Sequence, residues 1–173
     1  MRNGQIQLYT GDGKGKTTAA AGLALRALGN GFRVLFVQFM KSMPSGEIDM
    51  LKRCGGENIA ILREWDDSFI IEKPSDGQIA MCRDLWSKMA KRLETLRPDL
   101  LVLDEVAVAI DYGLLDEKRV LDFLKSKPDS LELVMTGQNA SQALIEASDL
   151  VTDMRKVKHY YDEGVMARKG IEY

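Results

Sequence analysis

The chain has 173 residues, 45% of them hydrophobic, a length that suits one domain with a real core and is short for two. Twenty-four basic residues against 26 acidic ones leave a formal charge of -2, without the single-signed excess of a nucleic-acid or membrane surface, so a small-molecule partner is expected. Cys54 and Cys82 stand far apart beside a single histidine, which points to ordinary thiols in a reducing cytoplasm rather than a disulfide framework or a zinc site.

The N-terminus, MRNGQIQLYT, has no apolar leader, and no apolar run approaches the ~20 residues that cross a bilayer. Short apolar runs alternate with longer stretches at helical spacing, the pattern of an α/β protein with a mostly parallel sheet of about six strands. IQLYT is the first strand. KTTAAAGLALRALGNG is a helix stopped by Gly29-Asn30-Gly31, and RVLFVQFM is a second strand, apolar almost throughout, as expected of a strand covered on both faces. SGEIDMLKRCGG reads as a short helix and NIAILRE as the third strand. Residues 64–76, EWDDSFIIEKPSD, follow no period and form a long loop of the kind that often carries function.

GQIAMCRDLWSKMAKRLETL is an amphipathic helix stopped before Pro98, and LLVLDE is the fourth strand. DEKRVLDFLKSK, LELVMTG, ASQALIEA and DLVTDM continue as helix, strand, helix and strand. With no repeat or linker, residues 1–173 are expected to form one domain, in which 155–173, rich in basic residues and tyrosine, are a C-terminal tail over the sheet edge or the site.

The segment between the first strand and first helix, TGDGKGKTT, is a phosphate-binding loop with one departure. The general pattern G-x-x-x-x-G-K-[ST] asks for glycine five places before Gly15, where Thr10 stands, and the glycine arrives one residue later at Gly11. Gly11, Gly13 and Gly15 let the backbone curl with its amides inward, and the helix that follows adds free N–H groups and a positive dipole end. Lys16 reaches phosphate oxygens, the Thr17 hydroxyl ligates magnesium held between them, and Lys14 adds a second cation. A glycine-rich turn without a ligand is the competing reading, disfavoured because the motif follows an apolar strand and opens a helix. Four apolar residues followed by Asp104-Glu105 resemble the acidic strand end that holds magnesium or its water.

For the chemistry itself, Asp111, Gln138 and Arg155 sit near strand ends, where an α/β sheet builds its site, although each is equally a cap or surface charge. His159 is a candidate catalytic group or a structural one. Arg26 either faces solvent or reaches back to the nucleotide. Trp65 and Phe69, in the aperiodic loop, plug the core or line a pocket for a large flat ligand.

YTGDGKGKTTAAAGLALRALGNGFRVLFVQFMK, LLVLDE and VKHYYDEGVMARKGIEY together resemble the P-loop type of ATP:corrinoid adenosyltransferase, also called cob(I)alamin adenosyltransferase. The likeness runs from the first strand to the last residue and is weak only across about residues 43–76. Its most specific part is the loop, since the family pattern is T-G-x-G-K-G-K-T-T, with threonine where other P-loops have glycine. The resemblance implies a RecA-like three-layer α/β/α sandwich, usually a homodimer. It implies transfer of the 5′-deoxyadenosyl group of ATP to the Co(I) of a reduced corrinoid, with release of triphosphate. ATP would lie in the reverse sense to other P-loop enzymes, and a separate system, an electron-donating flavoprotein, would reduce the corrinoid. Residues Thr10, Gly11, Asp12, Gly13, Lys14, Gly15, Lys16, Thr17 and Thr18 would bind ATP. Thr17 and Glu105, with Asp104, would hold magnesium, and Arg26 would contact the nucleoside. Asp12 departs from the asparagine common in the family. The F-x-W stretch that closes the lower corrinoid face is absent, and Trp65 and Phe69 are its substitutes. A hydrolase or kinase of the same fold, or a non-catalytic escort, are the rival functions.

Overall fold

A computed structural model describes residues 3–66, 70 and 73–172. The elements in chain order are β1 Ile6–Thr10, α1 Lys16–Gly29, β2 Val34–Gln38, α2 Gly46–Gly55, β3 Ile59–Arg63 and α3 Asp76–Leu96. They continue as β4 Leu100–Asp104, α4 Val106–Asp111, α5 Glu117–Ser126, β5 Glu132–Thr136, α6 Gln142–Glu146 and β6 Leu150–Asp153. The six strands pair in parallel in the order β3-β2-β4-β5-β1-β6, which is the expected parallel α/β sheet.

Every residue of the central strands β2 and β4 is buried, because helices cover both faces. Alternate residues divide between two cores, as the two-residue period of a strand requires. Val34, Phe36, Leu100 and Val102 pack under α1 and α2, while Leu35, Val37, Leu101 and Leu103 pack under α3, α4 and α5. Helix α1 presents Ala20, Ala21, Ala24 and Ala27 to the sheet, small side chains that let it lie close. Helix α3 starts with a capping box between Ser75 and Gln78 and buries Cys82, Leu85, Trp86 and Met89, one face at helical spacing. Burial pushes the Cys82 thiol up to about 11, whereas Cys54 is exposed. Among the described residues no helix is long and apolar enough to cross a membrane.

The sequence pattern concealed α4. The apolar run of β4 continues into VAVAI without glycine or proline, and only Glu105, at φ 62°, separates the two elements. A non-glycine residue in the left-handed region is a strained junction of the kind that collects at functional sites.

Because all strands run the same way, their C-terminal ends and the loops that follow share one edge. The tail returns to that edge and crosses the loop after β1. The Lys156 N–H donates to Asp12 Oδ1 at 2.8 Å and the Gly13 N–H to the Met154 carbonyl at 2.6 Å. Farther on, Lys14 Nζ donates to the Ile171 carbonyl at 3.3 Å and lies 4.0 Å from Glu172. Glu172 in turn accepts from Arg168 and from the Tyr160 hydroxyl. The Arg168 guanidinium first, and the Tyr160 hydroxyl second, hold its carboxyl down to about 2.

A carboxyl with a depressed folded pKa contributes stability, here to the turn that Glu172 forms with Arg168 and Tyr160, that is fully present above its ordinary value of 4.5 and is lost as pH falls toward 2. Amide NMR signals of residues 160–172 are therefore expected to shift across that window while sheet signals hold. Glu172→Gln should loosen that turn at neutral pH, and a turn unmoved by both changes would show that this carboxylate does not hold it.

Candidate functional site

Helix α1 begins at the C-terminal end of β1 with Gly15 as its first cap residue, at φ 118°, and no side chain caps it. The first N–H groups of the helix therefore point, without helical partners, into a cavity of about 600 Å³ at the strand ends. Residues Asp12, Gly13, Lys14, Gly15, Lys16, Thr17 and Thr18 line it together with Glu105. A pocket of this size suits a small molecule, and its uncapped helix end suits an anion.

Thr10 and Gly11 lie beneath the loop rather than on the cavity wall. A Cβ at Gly11, φ 94°, would stand 2.3 Å from Asp153 Oδ1 and 2.5 Å from the Met154 carbonyl, so only glycine fits there. That is why the glycine of the loop falls at position 11. The Thr10 carbonyl accepts the Met154 N–H, which binds β1 to the chain leaving β6.

Lys16 is buried against its own loop, with Nζ donating to the Gly11 and Gly13 carbonyls at 2.7 Å each. Burial holds its ammonium below the ordinary lysine range, opposed by the charges of Glu105 and Asp12. Across the single intervening strand, β5, lies the acidic pair. Asp104 is fully buried at the end of β4 and accepts from the Thr136 hydroxyl at 2.7 Å, Gln38 Nε2 at 3.0 Å and Lys41 Nζ at 3.2 Å. The Glu105 N–H donates back to Thr136 Oγ1 at 2.9 Å, which aims the next carboxylate upward into the cavity. Burial pushes the Glu105 carboxyl up, with Lys41 the main opposing charge.

Thr17 Oγ1, Asp104 Oδ2 and Glu105 Oε1 all approach Lys41 Nζ, at 2.9, 3.2 and 3.6 Å. A cation already stands among a hydroxyl and two carboxylates, the donor set a hard divalent ion uses. Among the described residues no group of three or more His, Cys, Asp or Glu side chains forms a metal cluster.

Of the other candidates, Gln138 and His159 line the cavity. His159 Nδ1 accepts the Tyr161 N–H at 3.1 Å and so caps the short turn that begins at Tyr160. Asp111 accepts from Asn139, and Arg155 pairs with Asp153 on the surface. Arg26 lies nearly three turns along α1, lining a separate small cavity with Phe32 and Glu132. Trp65 is half-buried against the core under α3, outside the cavity but just beyond β3 on the same sheet edge. Phe69 lies outside the described residues. Lys41, Glu47 and Glu172 line the cavity without having been singled out. For Lys41 a signal existed, since it is the first charged residue after β2; Glu172 had none.

Comparison with known proteins agrees with this geometry. A family model described as ATP:corrinoid adenosyltransferase BtuR/CobO/CobP matches residues 2–173. Corrinoid adenosyltransferase of Escherichia coli (strain K12) is 37% identical over 173 residues, covering 98% of this chain and 86% of that protein. Corrinoid adenosyltransferase CobA of Salmonella typhimurium (strain LT2) is 35% identical over 172 residues, with coverage of 98% and 86%. A corrinoid adenosyltransferase of Sinorhizobium sp is 34% identical, with 98% and 80% covered.

Proposed function

The chain belongs to the ATP:corrinoid adenosyltransferase family, and from that premise we propose how its own residues carry out the reaction. The activity is transfer of the 5′-deoxyadenosyl group of ATP to the Co(I) of a reduced corrinoid. The cobalt electron pair attacks the ribose C5′ carbon and becomes the cobalt–carbon bond, while the C5′–O bond breaks and triphosphate leaves with the electron pair of that broken bond. Co(I) is itself a strong nucleophile, so no base is required. The work left to the protein is to meet the charge on the leaving group.

The observation that carries this reading is the cradle: the uncapped N-terminus of α1 beside Lys16, facing the acidic pair across one strand. The loop amides and Lys16 bind the triphosphate, with ATP reversed so that the ribose end faces the cavity mouth. Lys16 exchanges the Gly11 and Gly13 carbonyls for phosphate oxygens, and Lys14 flanks the charge from the mouth. Thr17 and Glu105, with Asp104 behind, hold magnesium, which when bound neutralises part of the triphosphate charge. The three oxygens around Lys41 Nζ support that fit.

A corrinoid is too broad for the nucleotide cavity and lies across its mouth. Trp65, on the same edge of the sheet, is the described aromatic residue we assign to it. Arg26, which lines a different cavity, has no support from geometry within one chain for its contact to the nucleoside. From the family resemblance we also propose a homodimer in the cytoplasm, served by an electron-donating flavoprotein.

Incubation with ATP, magnesium and a chemically reduced corrinoid is expected to yield a cobalt–carbon bond and intact triphosphate. Orthophosphate or ADP formed without corrinoid would indicate a hydrolase or kinase. Lys16→Ala should lower kcat by about 10²–10³-fold, whereas an escort protein would tolerate it. Glu105→Gln should remove metal-dependent activity and leave the melting temperature unchanged or higher, because burial opposes its charge; parallel losses of activity and stability would count against its role. Trp65→Ala should raise KM for the corrinoid and not for ATP. Equal changes in both would move the corrinoid surface elsewhere.

A further inference from the structure

We propose that Lys41 is an internal counter-cation that occupies the divalent-metal position in the nucleotide-free protein, so that metal enters only together with the nucleotide. The inference rests on Thr17, Asp104 and Glu105 being the metal ligands, as read above. Lys41 Nζ stands within 3.6 Å of an oxygen of each of these residues. It therefore takes the place a metal would need rather than a place beside it.

The position follows from how the chain leaves β2. Phe39 N–H donates to the Asp104 carbonyl at 3.0 Å, Met40 takes the left-handed conformation at φ 54°, and the next residue is turned inward over the end of β4. Arg63 Nη2, from β3, fixes the backbone of this turn through the Lys41 carbonyl at 3.3 Å and the Met43 carbonyl at 2.5 Å. The backbone is held while the side chain, 33% exposed on the cavity wall, keeps room to move. Lysine's flexible four-carbon stem lets the ammonium travel without the backbone.

The two lysines of the site differ in what they hold. Lys16 rests on neutral carbonyls, whereas Lys41 rests on carboxylates, one of them with no exposure to water. Asp104 has no exposure to water, and the ammonium paired with it, at 3.2 Å, is that of Lys41. A bare divalent ion would have to expel the ammonium from two carboxylates. With a triphosphate in the cradle, the same ammonium exchanges carboxylate oxygens for phosphate oxygens. Lys41 thereby couples metal entry to nucleotide entry and becomes a further cation on the leaving group.

The test is a titration of Mn²⁺ into nucleotide-free protein, following the free ion by electron paramagnetic resonance, for wild type, Lys41→Met and Lys41→Gln. Both variants are expected to bind bare Mn²⁺ at least about tenfold more tightly than wild type, about 1.4 kcal/mol. Affinity in both variants equal to or below wild type would overturn the proposal. Lys41→Gln still offers a hydrogen-bond donor to Asp104, so a failure of Lys41→Met to fold leaves the measurement intact. Glu105→Gln in the presence of ATP separates the two layers of the reading. If it leaves Mn²⁺ uptake unchanged, the ligand assignment itself fails. If it abolishes uptake while the Lys41 variants show no gain, the ligands stand and only the role of Lys41 falls.

Discussion

A carboxylate sealed at the end of a central strand must be paired, and the arrangement of this site follows from how Asp104 is satisfied. Its oxygens take a hydroxyl from β5, an amide from β2 and an ammonium from the residues after β2. Three neighbouring strands must end in register for those donors to converge, and the pairing of Gln38 with Asp104 shows that they do. An unpaired charge at this depth would cost several kcal/mol, so the strand ends, the Thr136 hydroxyl and the Lys41 side chain are fixed by one requirement. Glu105 inherits its direction from the same place, through its N–H to Thr136.

The opposite wall of the cavity is governed by crowding rather than charge. The chain leaving β6 presses against the loop so closely that Gly11 and Gly13 have no space for a Cβ. The tail then grips the loop through Asp12 and Lys14, residues of opposite charge on either side of Gly13. The cradle is thus built between the first strand and the last segments of the chain, and its shape depends on contacts spanning more than 140 residues.

The fold was legible because its central strands are apolar on both faces and its helices carry clear stop signals. The loop, Lys16, Thr17 and the acidic pair were legible because a phosphate cradle needs backbone freedom at fixed spacing, which leaves a mark in the sequence. Helix α4 was not, since no breaker separates VLDE from VAVAI and the turn is made by one strained residue. Lys41 was marked only by being the first charged residue after β2 and Glu172 by nothing, and both reach the cavity through long-range packing. Arg26, expected at the nucleoside from the family resemblance, lines a different cavity within this chain, nearly three turns of helix at 1.5 Å per residue from the loop.

Several of the donors proposed for the triphosphate already have internal partners. Lys16 holds two loop carbonyls, the Gly13 N–H holds the Met154 carbonyl, and Lys41 holds the acidic pair. Each internal bond is weaker in charge terms than a bond to a polyanion, since carbonyls carry only partial charge and a metal can take over the carboxylates. On the proposed reading, binding is an exchange of partners with little exposure of bare charge along the way. Such an exchange suits an enzyme whose catalytic demand falls on a departing triphosphate: the donors are held within reach before the nucleotide arrives, and their strongest partner is the one that carries the developing charge.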